Sequence, residues 1–329
     1  MIYRSKKAAI KPLGTKVSSV TNKPLILITG GRGMVGRNIL EHPKARLYSF
    51  LAPTSAELDL RDFLRVQEYV SAHLPSYIIH AAGRVGGIQA NVAHPVDFLV
   101  ENVDIGRNVM LAARNAGVKR LLNLSSSCMY PRDALNPLSE DLILKGELEP
   151  TNEGYALAKI FAMRLGQYIH QEDPSFHCKT LIPCNLFGRF DKFDPKHSHL
   201  IPAIIHKVHQ AKVGNQQTVE IWGDGNARRE FMYAGDLADA VLKGIESYDE
   251  MPDLMNIGLG SDFSINEYYQ AVASVIGWGG EFIHDLSKPV GMKQKLVSID
   301  RQKNWGWMAL SSLEEGIAKT YDFYLKSVQ

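Results

Sequence analysis

A chain of 329 residues with 45% hydrophobic and 22% charged side chains can bury a large core, which excludes wholesale disorder and fits one large nucleotide-binding domain with a smaller lobe. A formal net charge of +2 gives no case for a nucleic-acid partner. Cys128, Cys178 and Cys184, an odd count without C-x-x-C spacing, argue against a disulfide framework and a structural zinc site, and point to a reducing cytoplasm.

Residues 1–23 are rich in Lys, Arg, Ser and Thr and hold no apolar run long enough for a signal peptide or a membrane span, so they read as a flexible leader. Pro24 to Thr29 is an apolar run of buried-strand type. It runs into Gly30-Gly31-Arg32-Gly33-Met34-Val35-Gly36 and an apolar segment, which is strand, tight turn, helix. Gly30 and Gly33 let the backbone approach a diphosphate at a helix N-terminus, and Gly36 permits close packing of helix on strand. A second strand is expected over Arg46–Leu51. The acid that usually follows it in NAD enzymes is missing from Ala52-Pro53-Thr54-Ser55. With Arg32 in the glycine loop this favours NADP over NAD, unless Arg32 is simply solvated.

Glu57-Leu58-Asp59-Leu60 should open a helix running through Val70, and Tyr77–Ala81 should form a third strand ending in Ala82-Gly83. The loop Arg84-Val85-Gly86-Gly87-Ile88 leads to a long helix near Pro95–Ala116, and Arg120–Leu124 is the next strand. Strand and helix alternate throughout, so the sheet is parallel and doubly wound, with its ligands at the carboxyl ends of the strands. Ser125-Ser126-Ser127-Cys128 lies at such an end. A serine there can bond a substrate oxygen, while Cys128 is either an acid/base group or a small buried hydrophobe.

Tyr155 and Lys159, four apart on a helix over 155–170, share one face, so the ammonium should lower the phenol's pKa. A strand follows at His177–Ile182, with Cys178 expected only to pack. From Asn185 the alternation breaks at the polar loop Arg189–His199, of the kind that folds over substrates. His197 and His199 lack partners at metal-ligand spacing, so no metal is expected, and proton transfer is the functional reading for one of them. Trp222 with Arg228 and Arg229 could hold a base and a diphosphate, or form a hairpin with a surface arginine pair. The basic turn Lys288–Lys295 carries the same two readings.

Taken together, Gly33-Met-Val-Gly, Val85-Gly-Gly-Ile, Ser126-Ser-Cys-Met-Tyr-Pro, Leu148-Glu-Pro-Thr-Asn-Glu, Ser198-His-Leu-Ile-Pro and Arg229-Glu-Phe resemble the extended short-chain dehydrogenase/reductases. Within them the chain is similar to the GDP-L-fucose synthase family, from about Leu25 to the C-terminus. The resemblance implies a Rossmann-type sheet over 24–185, joined by part of 225–260, and a substrate lobe made mainly of 186–329. It implies NADP(H) as cofactor and Ser126, Tyr155 and Lys159 as a reductase triad. Cys128 and His199 would be an acid/base pair that inverts C3 and C5 of a GDP-4-keto-6-deoxy sugar.

The implied cofactor contacts run from Gly30 to Gly36 and add Ser55, Asp59, Leu60, Ala82, Gly83, Leu124 and Ser125. On the nicotinamide side they add Tyr155, Lys159, Pro183, Asn185, Leu186 and His199. Implied substrate contacts are Val85, Ser127, Asn185, Lys207, Trp222, Arg229 and Lys295. Ser55 stands where that family often offers an arginine, and Val290 where it often has an acid. GDP-L-colitose synthase, whose 3,6-dideoxy sugar needs inversion only at C5, is the alternative. A binding module without turnover is the alternative from another class, and the intact triad argues against it. The resemblance also implies a homodimer through helices near 96–116 and 155–170 and no membrane partner.

Overall fold

The structure, a computed structural model, describes residues 23–194, 198–288 and 292–328. The leader up to residue 22, His197 and Val290 lie outside the described residues. The first half of the chain runs β1 (Leu25–Thr29), α1 (Met34–Leu40), β2 (Ser49–Leu51), α2 (Phe63–His73), β3 (Tyr77–His80), α3 (Ile88–Ala93), α4 (Pro95–Asn115), β4 (Arg120–Leu124), α5 (Glu153–Glu172) and β5 (His177–Pro183). There follow β6 (Asn185–Phe187), α6 (Leu200–Val213), β7 (Thr218–Trp222), β8 (Arg228–Arg229), β9 (Phe231–Tyr233), α7 (Ala234–Glu246) and β10 (Leu254–Ile257). The last stretch holds β11 (Phe263–Ser264), α8 (Ile265–Ile276), β12 (Glu281–Asp285), β13 (Gln294–Lys295), α9 (Asp300–Asn304) and α10 (Leu313–Val328).

Six parallel strands form the main sheet in the order β10-β5-β4-β3-β1-β2. The inner strands are almost wholly apolar because helices cover both faces: Ile26, Ile28, Ile78, Ile79, Leu121 and Leu122 are all fully buried. One core layer lies between the sheet and α1 and α7, another between the sheet and α2, α4 and α5. A separate cluster, built on Ile201, Ile204, Ile205, Val208, Tyr268, Val272 and Tyr324, holds α6, α8 and α10 together. Among the described residues no helix is long and apolar enough to cross a membrane.

The α/β alternation expected from the sequence is present, with local corrections. Pro43–Leu47 is a 3-10 turn started by Pro43 and by His42, whose ring accepts from Lys44 N, so β2 begins only at Ser49. The helix expected from Glu57 starts at Phe63, because Asp62 caps it through Leu64 N and Arg65 N. Upstream, Thr54 and Glu57 cap each other instead. The hairpin considered near 220–229 does not form: β7 pairs with β12, and β8 lies between β11 and β13.

Candidate active site

The carboxyl ends of β1, β3, β4 and β5 open on one cleft of ≈ 2000 Å³. Pockets for one small ligand are commonly about 300–1,000 Å³, so this cleft has room for two nucleotides end to end. The turn after β1 brings its backbone to the cleft edge. Gly30 has φ +74°, and a Cβ there would sit 2.8 Å from Ala82 N. A Cβ on Gly36 would lie 2.3 Å from Gly30 O, so only glycine lets α1 start so close to the strand. After β3, Asn102 of α4 fixes the chain as it leaves Gly83: its Oδ1 accepts from Arg84 N at 2.8 Å and its Nδ2 donates to Arg84 O at 3.1 Å.

At the end of β4 a 3-10 turn over Ser127–Met129 aims alternate side chains in opposite directions. Ser126 and Cys128 line the cleft, and Ser126 Oγ accepts from Cys128 N at 3.4 Å. Ser127, for which a substrate contact is expected, is 3% exposed and is not on the cleft wall. Tyr155 and Lys159 project from the first turns of α5, with Lys159 Nζ 5.7 Å from the Tyr155 ring centroid and donating to Leu124 O at 2.9 Å. The expected lowering of the phenol's pKa is not found. Burial, assisted by Cys128, pushes Tyr155 up, while burial pushes Lys159 down to about 8. Desolvation dominates at both groups.

Burial also raises Cys128, against the opposing charges of Lys295 and Lys159, and lowers His199. The thiol is thus protonated and the imidazole neutral around neutral pH. Lys295 pairs with Arg229 in register across β13 and β8, and both line the cleft. Pro183, Asn185 and Leu186 form its floor, with Asn185 Nδ2 donating to Glu230 O at 2.9 Å.

The other positions expected from Gly30 to Leu186 also lie on the wall, among them Arg32, Ser55, Asp59, Leu60, Val85 and Ser125. Asp59 is held by the Arg61 guanidinium at 2.9 and 2.8 Å, which keeps its carboxyl down at about 2. Lys207 and Trp222 are not brought to the cleft wall. They stack on each other, 5.5 Å from ammonium to ring centroid, with Trp222 52% exposed.

Sequence reasoning missed Asn102, although an asparagine four residues beyond Phe98 on the buried stripe of α4 is a readable signal. It also missed Asp191, on the wall beside Phe190, which burial raises to about 7. Among the described residues there is no group of three His, Cys, Asp or Glu that could hold a metal ion.

Residues 26–258 match the model of the NAD dependent epimerase/dehydratase family. The chain belongs to that family. A GDP-L-colitose synthase of Yersinia pseudotuberculosis is 52% identical over 300 residues, 91% of this chain and 97% of its own. A GDP-L-fucose synthase of Azorhizobium caulinodans is 50% identical over 300 residues, 91% of this chain and 96% of its own. Among solved structures, MlghC, a GDP-mannoheptose C4 reductase from Campylobacter jejuni with NADP bound, superposes with a TM-score of 0.83 at 30% identity, covering 92% of this chain and 98% of that one.

Within the family the chain stands with the GDP-L-fucose and GDP-L-colitose synthases, as the sequence motifs implied, and is an NADP(H)-dependent epimerase-reductase. The residues present fit that cofactor. The glycine turn offers backbone free of side chains; Arg32 in that turn and Ser55 after β2, where no acid follows directly, both line the cleft.

Proposed function

We propose that this chain converts GDP-4-keto-6-deoxy-D-mannose to GDP-L-fucose, inverting C3 and C5 and then reducing C4. The observation that carries this reading is that Cys128 and His199 line the same cleft as Ser126, Tyr155 and Lys159. Reduction of a ketone needs only the last three. A second acid/base pair has work to do only if carbons beside the ketone are inverted.

The C4 carbonyl acidifies the hydrogens on C3 and C5, so each carbon can lose a proton to one group and regain it from another on the opposite face, through an enolate. Cys128 as thiol and His199 as neutral imidazole hold between them one proton to give and one site to receive one. The Ser126 hydroxyl holds the C4 oxygen. Bound NADPH supplies hydride to C4. The Tyr155 hydroxyl gives its proton to that oxygen, and Lys159, anchored on Leu124 O, stabilises the phenolate left behind.

GDP-L-colitose synthesis is the second reading, favoured by the 52% identity to the Yersinia enzyme. In either reading residues 24–185 with part of 225–260 serve the cofactor and 186–329 mainly the sugar nucleotide. A reducing cytoplasm suits the three free thiols.

The protein acts as a homodimer through α4 and α5. Val96 and Val100 of α4, four apart and 68% and 49% exposed, form an apolar stripe. Leu157, Phe161 and Tyr168 on α5, at 40%, 36% and 57%, extend it.

The test is NADPH oxidation with GDP-4-keto-6-deoxy-mannose and with its 3-deoxy analogue in deuterated water. Efficient turnover of the first with label at C3 and C5 supports the fucose reading, and preference for the second with new label only at C5 supports the colitose reading. Tyr155→Phe should abolish reduction and keep exchange at C5, and Cys128→Ser should do the reverse. Equal loss of exchange in both variants would remove this division of labour.

A further inference from the structure

Across the inner strands of the main sheet, otherwise almost wholly apolar, runs one polar row. Thr29 of β1, His80 of β3, Asn123 of β4 and Thr180 of β5 stand in register on neighbouring parallel strands and are 1%, 2%, 0% and 2% exposed. Register partners on parallel strands share a face of the sheet. The row lies directly beneath the cleft: Thr29 precedes Gly30, His80 precedes Ala81, and Asn123 stands two residues before Ser125. It splits into two bonded pairs, Asn123 Nδ2 donating to Thr180 Oγ1 at 3.3 Å and Thr29 Oγ1 with His80 Nδ1 at 2.8 Å. A buried imidazole costs more than an apolar side chain of its size unless its nitrogens are used.

The Thr29–His80 pair reaches the cleft through the β3 turn. Thr29 Oγ1 accepts from Ala82 N at 3.4 Å, and Thr29 O accepts from Ala81 N at 3.2 Å. These bonds tie the turn Ala81–Gly83 to the residue that opens the glycine turn, and the two turns touch, since a Cβ on Gly30 would lie 2.8 Å from Ala82 N. Both turns line the cofactor side of the cleft. The direction of the Thr29–His80 bond follows from the hydroxyl's single hydrogen. Among the described residues Nδ1 is the one acceptor within hydrogen-bond distance of it, so the hydroxyl donates to Nδ1 and the ring's own proton sits on Nε2. Burial, with the charge of Lys159, pushes His80 down to about 3, which keeps the ring neutral and Nδ1 able to accept.

We propose that His80 is a positioning residue for the cofactor: by taking the Thr29 hydroxyl hydrogen it turns that oxygen's lone pair to Ala82 N, and so holds the Ala81–Gly83 turn against the glycine turn at the spacing that NADP(H) needs. An apolar side chain would fill the same space in the sheet, but it would leave the hydroxyl without an acceptor and free to turn away from Ala82 N. This role concerns cofactor binding and stands apart from which sugar is reduced.

The experiment measures the Kd of NADPH from its fluorescence, on the full chain without sugar nucleotide, together with the midpoint of thermal unfolding without cofactor. His80→Leu should weaken NADPH by about 5–30-fold, the range of one buried hydrogen bond lost. His80→Asn, which sets an amide oxygen where Nδ1 stood, should stay within about threefold of the wild type. The double variant Thr29→Val with His80→Leu leaves neither partner unpaired, so its unfolding midpoint should stay within about 5 °C of the wild type while NADPH is bound no more weakly than in His80→Leu alone. Wild-type affinity in His80→Leu or in the double variant overturns the assignment. So does equal weakening in His80→Asn and His80→Leu, which would make the bulk of the ring the cause, and so does a collapse of the double variant's midpoint, which would make the pair a part of the core alone.

Discussion

Lys159 holds its proton less firmly than a surface lysine, because burial pushes its pKa down to about 8. Below that pH the ammonium is present to stabilise the Tyr155 phenolate, and above it the amine cannot. The kcat/KM for reduction should therefore fall as pH rises through about 8, as an initial-rate series across that value would record. A flat profile from pH 7 to about 9.5 would separate Lys159 from the rate. Activity surviving in Lys159→Arg should lack this limb, since a guanidinium stays charged throughout. The spacing of Tyr155 and Lys159 on one helix face was legible in the sequence, but not the sign of the phenol's shift, which depends on how deeply α5 is covered. Nor could a run of three serines reveal which one faces a ligand: the 3-10 turn after Ser126 decides it by turning Ser127 into the core.

The short strands that carry Arg229 and Lys295 depend on a buried acid between them and the main sheet. Glu230, 1% exposed, accepts from Leu259 N at 2.6 Å and Gly260 N at 3.0 Å through Oε1, and from Val297 N at 2.9 Å through Oε2. Glu230→Gln would point an amide donor at one of these N–H groups. The expected cost is about 1–3 kcal/mol of stability, measurable by denaturant unfolding, with weakened sugar-nucleotide binding because Arg229 precedes Glu230 directly. No loss of stability would mean that the three bonds are replaceable. Two-residue strands such as β8 and β13 have no period to read, so this sheet was invisible in the sequence. By contrast β7 alternates exposed and buried, and that pattern could have placed Trp222 on the outer face with Glu220.

At the scale of the molecule, α4 and α5 pack closely on each other, Gly106 against Ala162, and still leave apolar side chains facing outward. Val96→Asp combined with Phe161→Asp should convert a dimer to a monomer in light scattering and lower the midpoint of thermal unfolding. A single-chain mass in the unaltered protein would remove the dimer from the reading. The parallel sheet was legible because its inner strands are continuous apolar runs between helices. The cleft's outline was not, since it is assembled from residues as far apart as Gly30 and Lys295. The sixth strand has a consequence for the order of synthesis. β10 completes the sheet beside β5, but it is made only after α6, β7 and α7. A nascent chain that has reached Asp253 still has an unpaired sheet edge at β5, next to the Pro183 end that floors the cleft. The N-terminal half thus leaves β5 as an open edge until β10 is made, and the strand that covers that edge comes from beyond the segment that supplies the sugar-nucleotide side of the cleft.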